Sequence, residues 1–405
     1  MTAPARRVGL WLIGAFGGVG ATTALGMAGL ARGLTDTTGM VTALPLFSRL
    51  DLDAPAAFVL GGHDIRQSDF VTSLNELHER ANVLPARLID ACRPTLIDWS
   101  RNVRPGTLLS AGSTITGLSD WPEAQRRELP RHAIDRLKRD LVEFKRREKL
   151  DQLVVVNVAS TEAPTPVAEV HETLARLSPA LLSASEPSAL PPSSLYAFAA
   201  LELGLPYLNF TPSLGASFPA GLELAAQHGA LLAGQDGKTG ETLLKSVLGP
   251  MFALRNLEVL SWVGHNIFGN RDGLVLKDPQ HKAAKVRTKD QLLPPILGYR
   301  PHTHVSIEYV PSLDDWKTAW DHIHFAGFLG TKMTLQFTWQ GCDSLLAAPL
   351  VIDLARLMLL AQRRGVSGLV TPLACFFKNP LGVQEHDFFK QWRLLEDWVA
   401  SLEHA

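Results

Sequence analysis

The sequence predicts an α/β fold, a doubly wound parallel sheet joined to a second, mostly β layer with helices. Three observations lead there. A short apolar run, VGLWLI at 8–13, ends in a glycine cluster and passes straight into a helix-like run, as strand, tight turn and helix do. Further strand-like runs alternate with helical segments up to about residue 238. From about 240 to 345 the strand candidates become longer and alternate in polarity, and 346–405 is again helix-rich. A chain of 405 residues exceeds one ordinary core, so two domains are expected, one of which can be discontinuous.

In order, residues 8–13 read as a buried parallel strand, followed by strand-like runs MVTAL (40–44), TLLSAG (107–112) and QLVVVNVAS (152–160). Residues 133–147 set Ile134, Leu137, Leu141 and Phe144 on one helical stripe, with Arg136, Lys138, Arg139, Lys145 and Arg146 largely opposite. That is the pattern of a solvated helix face rather than of a nucleic-acid patch. SASEPSALPPSS (183–194) reads as a surface loop. SLYAFAALELGL then looks like a helix entering the short strand YLNF, and GLELAAQHGALLAGQ like another helix and strand. LEVLSWVGHN, HVSIEYVP and KMTLQFTWQ are the strands of the second layer, and LVIDLARLMLLAQRRG and FFKQWRLLEDWVASL the closing helices.

Composition narrows the function. Hydrophobic residues make up 46% and charged ones 20%, a globular profile. With 39 basic and 40 acidic side chains the net charge is −1, so no overall field recruits nucleic acid or anionic lipid. Arg6-Arg7 and the apolar run after them imitate a secretory signal, but Gly14, Gly17, Gly18 and Gly20 crowd it. APLVIDLARLMLLA, the best candidate for a membrane span, is interrupted by Asp353 and Arg356. Neither a nucleic acid nor a membrane is expected as partner. Cys92, Cys342 and Cys375 are far apart and odd in number, which fits a reducing cytoplasm.

Several segments carry chemistry. GAFGGVGATT (14–23) supplies a glycine-lined turn for a dinucleotide pyrophosphate, although its order is G-x-x-G-G-x-G. The acidic ribose partner expected after the second strand stays open between Asp36 and Asp51. AGQDGKTGETLLKSVLG (233–249) places Asp236, Lys238, Thr239 and Gly240 at a turn opening a helix, an anion cradle without Walker A spacing. HNIFGNRDG (265–273) gathers Asn266, Asn270 and Asp272 in a turn-rich segment, and Asp343 stands at a helix start. The pairs His302/His304 and His322/His324 have spacing for two metal ligands on a strand face, but no third ligand is indicated. Thr22/Thr23 and Ser160/Thr161 lack a nucleophile elbow, which disfavours a serine hydrolase. Four lysines, Lys285, Lys289, Lys317 and Lys378, suit either solvated surface positions or a site for a phosphorylated, electron-rich substrate.

In this order the motifs resemble the myo-inositol-1-phosphate synthase (inositol-3-phosphate synthase) family, most like its archaeal and bacterial branch. The resemblance rests on GAFGGVGATT, GGHDI (61–65), VVVNVASTE (154–162), LPYLNFTPS (205–213) and GQDGKTGETLLKSVL (234–248). It continues through HNIFGNRDG, KVRTK (285–289), YVPSLDDWK (309–317), GCDSLLAAPLVIDL (341–354) and FFKNPL (376–381). His63 stands where tryptophan is common, and Gln235 where the family's GDD triplet has its first carboxylate. The resemblance implies a Rossmann-like NAD-binding domain, 1–238 with 346–405, and an inserted α+β catalytic and tetramerisation domain, 239–345. It implies NAD-dependent isomerisation of D-glucose 6-phosphate to 1D-myo-inositol 3-phosphate, with a divalent metal or monovalent cation in some members, and a homotetramer. Gly14, Phe16, Gly17, Gly18, Val19, Gly20, Asp64, Asn157, Thr161, Asp236, Asp272 and Asp343 would then serve the cofactor. Lys285, Lys289, Lys317 and Lys378 would be catalytic, and Thr239, Gly240, Lys289 and Lys317 would meet the substrate phosphate. A plain NAD-dependent oxidoreductase or cyclase on another phosphosugar, and a non-catalytic NAD-binding homologue, are the alternatives.

Overall fold

The computed structural model describes residues 6–184, 188–275 and 292–403. Seven parallel strands form the larger sheet: β1 (Val8–Ile13), β2 (Phe58–Asp64), β3 (Val103–Pro105), β4 (Gln152–Asn157), β5 (Tyr207–Asn209), β6 (Leu231–Gly234) and β11 (Gly368–Leu369). Their spatial order is β11-β6-β5-β4-β1-β2-β3. β1 therefore lies between β2 and β4, at the point where successive connections diverge to opposite sides of the sheet. Such a switch opens a crevice at the carboxyl ends of the strands. The fully buried, apolar β1 sits at the centre for the reason the sequence suggested: helices cover both faces, so no polar alternation is needed.

A second sheet, of order β10-β9-β7-β8, is built from β7 (Glu258–Phe268), β8 (His302–Tyr309), β9 (Trp316–Ala326) and β10 (Lys332–Cys342). β9 runs antiparallel to both neighbours, while β7 and β8 are parallel. Its inner face packs Trp262 and Ile323 against Phe252, Leu292 and Leu293, a core separate from the large one under the seven-stranded sheet.

Two strand expectations change, and one strand goes unanticipated. MVTAL is not a strand: Val41–Ala43 form a 3-10 turn, because the Asp353 carboxylate accepts the amides of Val41 (2.5 Å) and Thr42 (3.2 Å) and the Thr42 hydroxyl (2.5 Å). The second strand is instead FVLGGHD, whose paired glycines disguise it; a side chain on Gly62 would meet the Leu12 carbonyl at 2.2 Å. TLLSAG is also irregular, since the Thr107 amide is taken by the Tyr196 hydroxyl (2.7 Å), and the edge strand lies earlier, at Val103–Pro105. WKTAWDHIHFA, not singled out as a strand, is β9 at the centre of the second sheet.

The helix Asp343–Arg363 is long and apolar enough to cross a membrane by composition. It is a core helix: Val351, Leu354, Leu357, Met358 and Leu359 are wholly buried, and it packs along the helix Gly18–Ala31. The interruption by Asp353 is the clamp just described. Burial pushes the Asp353 carboxyl up to about 6, opposed by the Thr42 and Val41 donors.

That shift fixes a sign. The folded pKa exceeds the unfolded value of about 3.9, so the folded state holds the extra proton between them. The associated stability is present below about pH 4 and lost as pH rises through 6. Relative to Asp353→Asn, which cannot titrate, the parent chain is expected to lose on the order of 2–3 kcal/mol between pH 4 and pH 7. Urea unfolding of both proteins across that range checks it; parallel stability curves would contradict it.

Candidate active site

A cavity of about 560 Å³ opens at the carboxyl ends of β1, β2, β4 and β5, reaching to the second sheet. Gly14, Phe16, Gly17, Gly18 and Val19 line its floor, with Asp64, Asn157, Thr161, Asp236, Thr239, Asp343 and Lys378 around it.

The glycine turn is shaped by close approach. Gly14 has φ +83°, and a Cβ there would lie 2.8 Å from the Ala159 backbone. A Cβ on Gly20 would come within 2.5 Å of the Ala15 carbonyl, so Gly20 shapes the turn from behind without lining the cavity. The helix Gly18–Ala31 starts at the cavity floor, and first-turn amides have no intrahelical acceptor, which makes that end suited to an anion.

Asp64, the last residue of β2, accepts the Phe16 amide (2.7 Å) and the Arg66 amide (2.9 Å). Burial pushes this carboxyl up, while the Arg66 charge and the amides pull it down. The Arg66 guanidinium in turn bonds the Phe16 carbonyl and lies 3.6 Å from Glu76. Asp64 thus occupies the position where a ribose-binding carboxylate follows the second strand, which Asp36 and Asp51 do not: Asp36 caps Thr38 and Asp51 pairs with Arg6.

The next two strands contribute amides and hydroxyls. Asn157 donates to Asn209 and Thr211 (both 3.3 Å), and Asn209 donates to the Ser213 carbonyl (2.7 Å). Glu162, absent from the sequence-derived set, accepts the amide (2.7 Å) and hydroxyl (2.5 Å) of Ser193 at the start of the helix Pro192–Leu201. Burial pushes its carboxyl up to about 7.

On the opposite wall, residues 235–238 and 376–379 run antiparallel, bridged at Gly237 and Phe377. The Lys378 amide donates to the Asp236 carbonyl (2.7 Å) and the Lys238 amide to the Phe376 carbonyl (2.8 Å). Lys378 Nζ meets Asp236 Oδ1 at 2.7 Å, with Lys378 9% and Asp236 3% exposed. From the second sheet, Lys317 Nζ reaches Asp343 Oδ2 at 3.2 Å and lies 5.5 Å from the centre of the Phe268 ring. Asp315, also missed, accepts the Asn270 amide (3.0 Å), the Cys342 thiol (2.6 Å) and the Ser344 hydroxyl (3.2 Å), and burial pushes it up. A Cβ on Gly18 would touch Ser344 Oγ at 2.5 Å, so this web closes directly over the glycine turn.

Two of the four lysines therefore reach the cavity wall, Lys378 at its lining and Lys317 through Asp343. Lys285 and Lys289 lie outside the described residues, and of Asp272 only the helical backbone is described. Thr239 lines the cavity, whereas Gly240 stands behind it as the cap of the helix Glu241–Leu254, packed against Trp339. The histidine pairs are elsewhere: His322 bonds Gln336 (2.7 Å) and His304 stacks edge-on with His265. Among the described residues no group of three or more His, Cys, Asp or Glu side chains is arranged to hold a metal ion.

The family model for myo-inositol-1-phosphate synthase, an NAD-binding family, matches residues 8–400. An inositol-3-phosphate synthase from Bacteroides thetaiotaomicron is 30% identical across 98% of this chain and 95% of its own length. The chain belongs to the myo-inositol-1-phosphate synthase family.

An inositol-3-phosphate synthase from Spirodela polyrhiza is 30% identical over 79% of the chain, which spans 62% of that longer protein. In three dimensions the inositol-3-phosphate synthase of Caenorhabditis elegans superposes with a TM-score of 0.85 at 24% identity, covering 99% of this chain and 86% of the other. A myo-inositol-1-phosphate synthase-related protein from Thermotoga maritima gives 0.79, also at 24%, covering 98% and 99%. Both likenesses establish the fold, the Rossmann-like parallel sheet with its second layer.

Within this synthase family the two substitutions noted in the sequence have local explanations. Trp11 Nε1 donates to His63 Nδ1 (2.9 Å), which leaves Nε2 to donate to Asp140 (3.1 Å), and burial lowers the imidazole pKa. His63 is thus a neutral structural link. Gln235 spends its amide on the Pro212 (2.8 Å) and Ser213 (2.5 Å) carbonyls, bracing the turn behind Asp236. The glycine turn, the free end of its helix and the carboxylate after β2 together fit NAD.

Asp64→Asn places an amide N–H against one of two backbone N–H groups, which costs a buried acceptor. Isothermal titration is expected to show NAD affinity weakened about tenfold or more, with an unchanged circular dichroism spectrum. Unchanged affinity would separate Asp64 from the cofactor.

Proposed function

We propose that this chain converts D-glucose 6-phosphate to 1D-myo-inositol 3-phosphate with NAD used catalytically, in the cytoplasm and as a homotetramer. The observation that carries the reading is the buried Lys378–Asp236 pair set beside the glycine turn, in a chain that matches the synthase family from 8 to 400. The sequence of chemistry is oxidation at C5, enolisation at C6, intramolecular aldol closure and reduction of the ketone. When bound, NAD supplies the acceptor and donor of the C5 hydride.

The residues supply placement and charge. The first-turn amides of Gly18 and Val19 hold the pyrophosphate, and Asp64 the adenosine ribose. Lys378, with Lys285, serves the oxygen at C5, where a proton must leave as the carbonyl forms. A ketone at C5 acidifies the C6 protons, and each later species concentrates negative charge on an oxygen that fixed cations stabilise. Lys289 and Lys317 serve the phosphate and the C1 oxygen that becomes an alkoxide, and Thr239 holds phosphate, with Gly240 behind it opening the next helix. Asp236 and Asp343 aim their lysines, and Asp272 the cofactor.

Two separate sheets and cores support a division into an NAD-binding unit, 1–238 with 346–405, and an inserted catalytic and assembly unit, 239–345. The partly exposed Trp316 and Trp320 and the well-exposed Phe328 and Leu329 on the second sheet and its hairpin support an assembly role for that unit. Three buried, unpaired cysteines are consistent with a reducing compartment.

Incubation with glucose 6-phosphate and catalytic NAD is expected to yield a non-reducing, periodate-sensitive phosphate ester without net NADH. Accumulating NADH with no cyclised product would overturn the reading in favour of a plain dehydrogenase. Lys378→Ala is expected to lower kcat by about 10³-fold, while NAD affinity by titration stays within a few-fold.

A further inference from the structure

The second sheet turns one face toward the core of Trp262 and Ile323, and its other face carries five of the chain's 13 histidines. Their placement follows from strand register, because side chains of one parity share a face. One row across the sheet sets His302 and His324 on either side of Ser261, and the next sets His304 and His322 on either side of Val263. A third puts His265 between Ser306 and Trp320, and β10 closes the three rows with Thr334, Gln336 and Thr338. His265, His302, His304 and His322 are exposed, and His324 is partly so. The His265 and His304 rings meet edge-on with centres 5.7 Å apart. The Gln336 amide donates to His322 Nδ1 at 2.7 Å, an acceptor role for that nitrogen that only a neutral ring can fill. Among the described residues, charged side chains come to this face only at its ends: Glu258 and Lys332 at one, where Arg300 precedes β8, and Glu308 at the other.

We propose that this face is a contact between copies of the chain and that its histidines make the contact acid-labile, so that the copies part as pH falls through the range in which imidazole is protonated. The inference rests on the homotetramer reading above. Surfaces buried between proteins lose charged residues at their centre and keep aromatic ones, as here, where Trp320 stands 44% exposed among uncharged neighbours. Four strands about 4.8 Å apart and about nine residues long offer about 600 Å² on each copy and about 1,200 Å² for a pair, enough for a specific contact. A second copy is the occupant that the chemistry favours. Neutral imidazoles, hydroxyls and the Gln336 amide both donate and accept, so the face complements itself in a two-fold contact, whereas a strongly acidic or basic partner would meet no counter-charge in the middle rows. Histidine changes charge between about pH 5 and 8, and a ring pressed against another copy is held neutral, while one facing water is free to take up a proton. Separate copies therefore bind more protons than joined ones, and acid shifts the balance toward separation. The mixed charges at the two ends of the face oppose this only at the rim.

The test is sedimentation velocity of the full-length protein in steps from about pH 8 to about pH 5.5, with the circular dichroism spectrum recorded at each step. The parent is expected to dissociate with its spectrum unchanged, its dissociation constant rising about a hundredfold per pH unit if two net protons are taken up per contact. A double variant, His304→Gln with His322→Gln, keeps polar neutral side chains in the central row and is expected to stay assembled at the acid end. His322→Arg, which sets a permanent charge there, is expected to separate the copies already at about pH 8. A parent that remains assembled throughout overturns the proposal, as does dissociation that follows the same pH course in the double variant or accompanies loss of the spectrum. Should the double variant not fold, His304→Gln alone must lower the pH at which the copies part, and an unmoved transition overturns the proposal. A parent that is monomeric at about pH 8 would instead sink the assembly reading on which the proposal rests, so the two failures are told apart.

Discussion

The Lys378–Asp236 ion pair is the constraint on which the site's geometry turns. It joins segments 142 positions apart in the chain, and it does so at 2.7 Å with little water nearby. Two charges removed from solvent repay their desolvation only when the geometry is fixed and further hydrogen bonds complete it. The backbone ribbon supplies that fixing. Bonds from Lys378 to Asp236, Gln235 to Asn379 and Lys238 to Phe376 set the register, so neither side chain can drift without breaking the ladder. Asp236, at φ +64°, is turned toward the amine by the same ladder.

The helix Asp343–Arg363 performs the complementary task from the other side. Its first turn carries Asp343 and Ser344 at the cavity, where they engage Lys317 and Asp315. Its later turns are sealed into the main core, with Asp353 clamping the 41–43 turn. One rigid element therefore links the second sheet, the glycine turn and the centre of the large domain. A displacement of either sheet would be felt at Gly18, where Ser344 leaves no room for even a methyl group.

Much of this was legible in the sequence because it depends on local pattern. The apolar run VGLWLI with its following glycines gave β1 and its turn, and the period of Ile134, Leu137, Leu141 and Phe144 gave the helix Pro130–Arg147. The second strand was misplaced because its glycines serve close packing rather than a turn, and because the apolar MVTAL is held in a 3-10 turn by a carboxylate over 300 residues away. With the strand misplaced, the ribose partner stayed open between Asp36 and Asp51; with β2 ending at Asp64, that carboxylate stands where such a partner is expected. Asp315 and Glu162 were missed for another reason. Each acts through partners distant in sequence, Cys342 and Ser344 for one and Ser193 for the other, and no local spacing announces such contacts. Lys317 and Lys378, singled out in the sequence as costly unless used, each stand beside a carboxylate, Asp343 and Asp236.

The interleaving of late and early segments bears on how the polypeptide is made. β11 and the 376–379 ribbon strand emerge from the ribosome after every other strand, yet the first adds to the edge of the seven-stranded sheet and the second brings Lys378 to the cavity wall. Until then the nascent amino-terminal half covers the apolar helix Gly18–Ala31 only in part, with the helices Phe70–Ala81 and Ala86–Ser100, and the long greasy helix Asp343–Arg363 that completes the cover is still being synthesised. Vectorial synthesis thus leaves a sticky intermediate waiting for its own tail, the kind of species that holdase chaperones retain.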